Sequence, residues 1–358
     1  MEIHRVGLLT GGGDAPGLNA VIRAFVKRAV GQLRWQVVGI EDSFNGILER
    51  PFRTMELSPK SCAGLLARGG TVLGTTNKGD PFEHGPDRVD RSADVAEVCE
   101  ELGLEGLVVI GGDGTQKIGL RLMEERGIPV VGVPKTIDND LSATDQTFGF
   151  QSAVEVATDA LDRLHSTAES HDRVIVLEVM GRDAGHIALH AGIAGGADCI
   201  VIPEIPYDVD RLLHKIDERR AKGRFFTLII VAEGAHCAKG NGAQHIRPHG
   251  LGTIRIGGPS LLIAQALTER RELDVRVTVL GHLQRGGSPI AYDRILATRF
   301  GVAAVELIQQ GRWGQITVLR NGSVIGVPIH EAVATYRQVD PQGELVRTAR
   351  AVGIEFGG

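Results

Sequence analysis

The chain has 358 residues, about twice a common domain length, and 42% of them are hydrophobic, so two cores can be filled. A formal net charge of −5 supplies no basic field for nucleic acid or an anionic membrane, and 4% aromatic residues leave little for base stacking. No apolar run reaches the roughly 18 residues of a membrane span, and MEIHRVGLLTGGGD reads as strand and turn, lacking the apolar core of a signal peptide. Cys62, Cys99, Cys199 and Cys237 are scattered without a C-x-x-C, so neither a zinc site nor a redox dithiol is expected. A cytoplasmic protein with reduced thiols, binding neither membrane nor nucleic acid, is the expectation.

In chain order, short aliphatic runs recur: RVGLLT, QVVGI, GLVVIGG, PVVGVP, RVIVLEVMG, DCIVIPE, FTLIIVAEG and VRVTVLGH. Between them lie amphipathic segments, among them GLNAVIRAFVKRAV, SADVAEVCEELG, KIGLRLMEERG, QSAVEVATDALDRLHS, DVDRLLHKIDERRAKG and GPSLLIAQALTERREL. Continuous Val/Ile/Leu strands alternating with such helices predict an α/β protein whose mainly parallel sheets are covered on both faces. Residues 235–260 read as a long loop or a hairpin. The weakly patterned chain after about Gly326 reads as a closing helix and a frayed tail. No internal repeat or linker-like tract marks a boundary.

Ligands of open α/β sheets bind beyond the carboxyl ends of the strands, so the residues after each run carry the functional reading. TGGGDAPGLNA opens a helix with glycines that would let backbone N–H groups approach a phosphate, although a tight strand–helix turn also uses glycine. It is neither a Walker A loop nor a clean dinucleotide fingerprint. GGDGTQKIG sets Asp113 among Gly111, Gly112 and Gly114, which suits a nucleotide phosphate with Mg²⁺ between it and the carboxylate. In GVPKTIDND, Asp138 could accept a hydroxyl proton, Asp140 orient the acceptor or help hold the metal, Thr136 donate a hydrogen bond, and Lys135 neutralise a transferring phosphoryl group. Further on, Arg173, Met180, Gly181, Arg182, Glu233, Arg276, His282 and Arg285 fall near strand ends, where arginines with a histidine suggest a pocket for a sugar phosphate.

TGGGDAPGLNA, GGDGT, PKTIDND, TFGF, LEVMGRDAGHIAL, IPE and GHLQRGGSP together resemble, in the same order, the motifs of the phosphofructokinase family over roughly residues 3 to 330. The resemblance implies two doubly wound, mainly parallel α/β domains with the active site in the cleft between them. It implies phosphoryl transfer to the 1-hydroxyl of fructose 6-phosphate with Mg²⁺. Residues 1–149 with about 283–325 would bind the donor, and residues 150–282 with the C-terminal segment the sugar phosphate. Asp138 resembles the base and Asp113 the metal residue. Thr136, Asp140 and Arg182 would surround the transferring group, with Met180, Gly181 and Glu233 against the sugar. His282 and Arg285 would take the 6-phosphate, joined by Arg173 and Arg276 of a neighbouring subunit, which makes a homo-oligomer, dimer or tetramer, the expected state. Gly13 and the loop 112–115, with Thr115, would bind the donor.

Two positions bear on the donor in opposite senses. Gly114 resembles members that use ATP, since an aspartate there would repel the α-phosphate. Lys135 resembles pyrophosphate-dependent members, so the chain resembles a subgroup holding both kinds, with ATP the favoured donor and pyrophosphate the alternative. Asn77 replaces the arginine of many ATP-using members, and Lys78 could supply the contact instead. Pro59 and His165 stand where bacterial members carry effector-site arginines, so little response to ADP or phosphoenolpyruvate is expected. A lipid or NAD kinase would share only the GGDGT loop. A catalytically dead sensor would be expected to lack one of Asp113, Asp138 and Asp140.

Overall fold

The computed structural model describes residues 4–238 and 258–358, so most of the loop expected over 235–260 lies outside the described residues. The chain divides into two compact units, Met1–Ser152 with Arg285–Tyr336, and Ala153–Gln284 with Arg337–Gly358.

Among the described residues the first unit holds seven strands: β1 (Arg5–Gly11), β2 (Gln36–Ile40), β3 (Thr54–Leu57), β4 (Leu107–Gly111), β5 (Val130–Pro134), β10 (Gln315–Arg320) and β11 (Ser323–Pro328). They lie in the order β11-β10-β5-β4-β1-β2-β3, parallel except at the two edges, where β3 and β11 run antiparallel to their neighbours. Alternation within β4 shows why these strands are apolar throughout: Val108 and Ile110 enter one core with the helices Leu18–Leu33 and Ala291–Gln309, while Leu107 and Val109 enter another with the helix Ser92–Glu101. From β1 the chain winds outward to β2, then returns to β4 on the other side. The topological switch point therefore lies between β1 and β4, where a parallel sheet leaves room for a ligand.

The second unit holds β6 (Val174–Val179), β7 (Cys199–Val201), β8 (Thr227–Ala232) and β9 (Val275–Val279), all parallel, in the order β7-β8-β6-β9. Val174, Val176, Ile229 and Val231 pack with Leu212, Ile216, Ile263 and Leu267 from the helices Val209–Ala221 and Pro259–Arg270.

The C-terminal reading needs correction. A helix does close the chain, Glu344–Ala351, but the tail beyond it is pinned: Ile200 N donates to Glu355 O at 2.8 Å, and Phe356 is buried. An added backbone pair and a buried ring hold the last residues where composition alone suggested fraying. The reading also passed over the β10–β11 hairpin. Its turn is Asn321-Gly322, with φ 50° and 77°, the pairing that a two-residue hairpin turn with positive φ favours.

Candidate active site

Three loops of the first unit leave the carboxyl ends of the adjacent strands β1, β4 and β5. After β1, Gly12 takes φ 78°, a left-handed value at which a side chain would be strained. Gly12 N donates to Thr76 O at 3.0 Å and Thr75 Oγ1 to Gly12 O at 2.6 Å, which ties in the turn carrying the exposed Asn77 and Lys78. Gly13 faces Arg285: a Cβ there would lie 3.0 Å from Nη1, and that nitrogen donates to Asp14 O at 3.0 Å.

After β4, Gly112 precedes the helix Asp113–Arg126, so Asp113 sits buried in the first turn, where the helix dipole favours a carboxylate. Thr115 fills the space that two glycines leave: a Cβ at Gly11 would fall 2.5 Å from its Cγ2, and one at Gly111 2.4 Å from its Cβ. Beside Gly114 the situation is reversed, since a Cβ there meets no atom within 4 Å.

After β5, Lys135 N donates to Gly111 O at 3.0 Å, extending the β4–β5 ladder into the loop. Thr136 Oγ1 accepts from Asp138 N at 3.0 Å. Thr147 donates to Asn139 Oδ1 through its amide at 3.1 Å and to Thr136 O through its hydroxyl at 2.7 Å. These bonds close a turn in which Asn139 takes φ 54° and which buries Lys135, Thr136, Asp138 and Asp140 to between 3% and 7% exposure. Lys135 Nζ donates to Gly13 O. Burial, and next the Arg285 charge, lowers the lysine pKa to about 8, against the opposing pull of Asp138, Asp14 and Asp140.

In the second unit, Met180, Gly181 and Arg182 follow β6, with φ 149° at Gly181 and 53° at Arg182. Met180 N donates to Gln284 Oε1 at 2.8 Å, and Arg182 N to Glu233 Oε1 at 3.0 Å. Gly234 lets the two loops meet, since a Cβ there would lie 2.1 Å from Arg182 O. His282 is exposed on the short turn of helix Gly281–Gln284 after β9. Arg173 and Arg276 lie elsewhere. Arg173 precedes β6 and Arg276 is the second residue of β9; both pair with Asp274, Arg173 Nε to Oδ2 at 2.7 Å. Both therefore stand toward the amino ends of the second unit's sheet, opposite the carboxyl-end loops that carry Met180–Arg182 and Glu233.

Residues 5–308 match the family model described as Phosphofructokinase. The chain belongs to the phosphofructokinase family. It is 49% identical to ATP-dependent 6-phosphofructokinase 1 of Synechocystis sp., over 99% of each chain, and 51% identical to ATP-dependent 6-phosphofructokinase of Chloroflexus aggregans, over 99% of this chain and 98% of that one. The solved phosphofructokinase of Saccharomyces cerevisiae superposes with a TM-score of 0.79 at 31% identity, covering 98% of this chain and 46% of the yeast chain. A pyrophosphate-dependent phosphofructokinase from Nitrosospira multiformis superposes at 0.82 with 21% identity over 99% of this chain and 92% of that one, a likeness of fold.

Phosphofructokinase motifs also contain two amides that the sequence reading left aside. Gln116, fully buried, spreads its Nε2 hydrogens over Val109 O, Gly111 O and Val133 O at 3.0 to 3.1 Å, and so fastens the ends of β4 and β5. Gln284, equally buried, accepts from Met180 N and donates to Ala153 O at 3.4 Å. Both stand inside quoted motifs, GGDGTQK and HLQRGG, where neighbouring charges drew the functional reading. A buried amide at a strand end is the signal that could have found them. No helix among the described residues is long and apolar enough to cross a membrane.

Proposed function

We propose that the chain transfers the terminal phosphoryl group of ATP to the 1-hydroxyl of fructose 6-phosphate, as an ATP-dependent 6-phosphofructokinase. The observation that carries this reading is the convergence of the β1, β4 and β5 loops, which gathers a glycine cradle, the Asp113 carboxylate and the buried Lys135–Asp140 turn at one switch point. The open space beside Gly114 favours a nucleotide over pyrophosphate, because the volume that an aspartate would occupy is available to the donor. Names borne by full-length relatives at about half identity point the same way.

Asp138 accepts the proton of the 1-hydroxyl as that oxygen attacks, and the Thr136 hydroxyl caps its backbone to hold the turn. Lys135 and Arg182 offset the negative charge that gathers on the phosphoryl oxygens, and Asp140 helps hold the acceptor. Gly13, Asn77, Lys78, Gly112, Gly114 and Thr115 shape the donor site. Met180, Gly181, Glu233, His282 and Arg285 serve the sugar phosphate, and Arg173 and Arg276 serve it in a neighbouring copy of a homo-oligomer. Arg285 in this structure also supports the Gly13–Asp14 backbone, which gives it a second task.

Among the described residues no cluster of three or more His, Cys, Asp or Glu could hold a metal ion by itself. The single buried carboxylate of the donor loop, Asp113, fits Mg²⁺, which is commonly held by one or two carboxylates and the substrate's phosphates. When bound, the ion would supply neutralisation of the donor's phosphate charge. The test is ³¹P NMR of the protein with ATP, Mg²⁺ and fructose 6-phosphate. ADP and fructose 1,6-bisphosphate in equal amounts are expected, and failure to form the bisphosphate would refute the reading.

A further inference from the structure

Tyr336 lies outside the part of the chain matched by the family model, yet it reaches the donor loop. Its hydroxyl donates to Asp113 Oδ2 at 2.8 Å, although the residue is 52% exposed and could have bonded water. Lys117, one turn along the same helix as Asp113, places Nζ 2.9 Å from that same oxygen and 5.4 Å from the centre of the Tyr336 ring. The backbone of Tyr336 pairs with Leu141, the residue that follows Asp140. One residue is thus fastened to the end of the Lys135–Asp140 turn and, through its side chain, to the carboxylate on the neighbouring loop.

Two donors converge on Oδ2, and among the described residues none bonds Oδ1. We infer that Tyr336 and Lys117 are positioning residues for Asp113, fixing its carboxylate so that Oδ1 alone is presented to the cation that accompanies the donor. A carboxylate presented through one oxygen suits Mg²⁺, which demands near-octahedral geometry, whereas the larger Ca²⁺ also accepts both oxygens of one carboxylate. Hydrogen bonds to a ligating carboxylate orient it, and removing such a partner typically costs about 10- to 100-fold in metal affinity or activity. The charge on Lys117 beside the ring face holds the phenol in register, and the anionic Oδ2, as acceptor, strengthens both bonds.

The inference rests on Asp113 being the metal residue, so the experiment separates the two. Binding of the non-hydrolysable analogue AMPPNP to the full chain is measured by calorimetry with Mg²⁺ and with EDTA, and the ratio of the two affinities is the metal's contribution. Tyr336→Phe keeps the ring over Lys117 and removes only the hydroxyl. The expected result is a ratio about 10-fold smaller with the EDTA affinity unchanged. An equal loss in both conditions would mean that Tyr336 touches the nucleotide itself, and an unchanged ratio would mean that the hydroxyl does not orient the ligand; either overturns the inference. If Asp113→Asn abolishes the metal's contribution while Tyr336→Phe leaves it intact, the inference alone fails. If Asp113→Asn keeps it, the assignment of Asp113 fails and the inference with it.

Discussion

The Lys135–Asp140 turn and the residues of the second unit proposed to take the sugar phosphate are built on opposite plans. The turn buries a lysine and two aspartates and fixes them by backbone bonds through Thr136, Asn139 and Thr147. Arg276 and His282 are exposed, and Arg276 pairs with the exposed Asp274. Groups that must meet charge as it develops gain from being fixed in a water-poor site before the substrate arrives, because their response costs no reorganisation. Groups that capture an anion from solvent gain from exposure and exchange one partner for another.

If that contrast is right, substitutions in the turn should lower kcat, whereas those in the exposed set should raise KM. Asp138→Asn is expected to produce the largest effect, lowering kcat by about 10²- to 10⁴-fold with the KM for fructose 6-phosphate little changed. Steady-state kinetics giving retained turnover would remove Asp138 from the role of base. Gly114→Asp would place a carboxylate in the open space beside the donor loop. Like-charge repulsion at a few ångströms should cut kcat/KM for ATP by about 10- to 1,000-fold while sparing pyrophosphate, and equal losses for both donors would argue against a nucleotide there. Arg276→Ala should raise the KM for fructose 6-phosphate by about 10-fold, the usual worth of a charge-assisted hydrogen bond, at nearly constant kcat. A drop in kcat alone would move Arg276 out of the exposed class.

The smallest effect concerns pH. Lys135, lowered to about 8 by burial and by Arg285, carries its charge below that pH and loses it above. The value of kcat/KM for ATP should therefore decline as pH rises through 8, and Lys135→Met should flatten this limb in a pH–rate profile. Between about 8 and the ordinary lysine value the unfolded chain binds the extra proton, so stability should rise slightly with pH over the same window. A pH-independent kcat/KM in the parent chain would show that the lysine charge does not matter to the donor.

How far the sequence alone reaches differs between the same regions. Strands such as LVVI and PVVGV announce a doubly covered parallel sheet because every residue is apolar, and the loops after them carry their charges in unbroken motifs. The antiparallel edges escape the apolar pattern because β3 has only 4 residues and β11 alternates exposed and partly buried positions, although Asn321-Gly322 is a readable hairpin signal. Arg173 precedes its apolar run and Arg276 stands second in VRVTVLGH, so chain direction alone assigns both to the amino ends of parallel strands, a signal that grouping them with the strand-end residues overlooks. Tyr336 was out of reach altogether: its contact spans 223 residues, and nothing in ATYRQ marks the side chain as meeting Asp113. Long-range pairing of single polar groups is fixed by packing, which leaves no local pattern.

The phosphoryl donor that the chain accepts decides whether the open space beside Gly114 or the buried Lys135 selects it. Initial rates of fructose 6-phosphate consumption, measured with Mg²⁺ and either ATP or pyrophosphate under otherwise equal conditions, should show turnover with ATP and little with pyrophosphate. Turnover with pyrophosphate alone would mean that Lys135, and not the space beside Gly114, selects the donor, and would contradict the proposed activity.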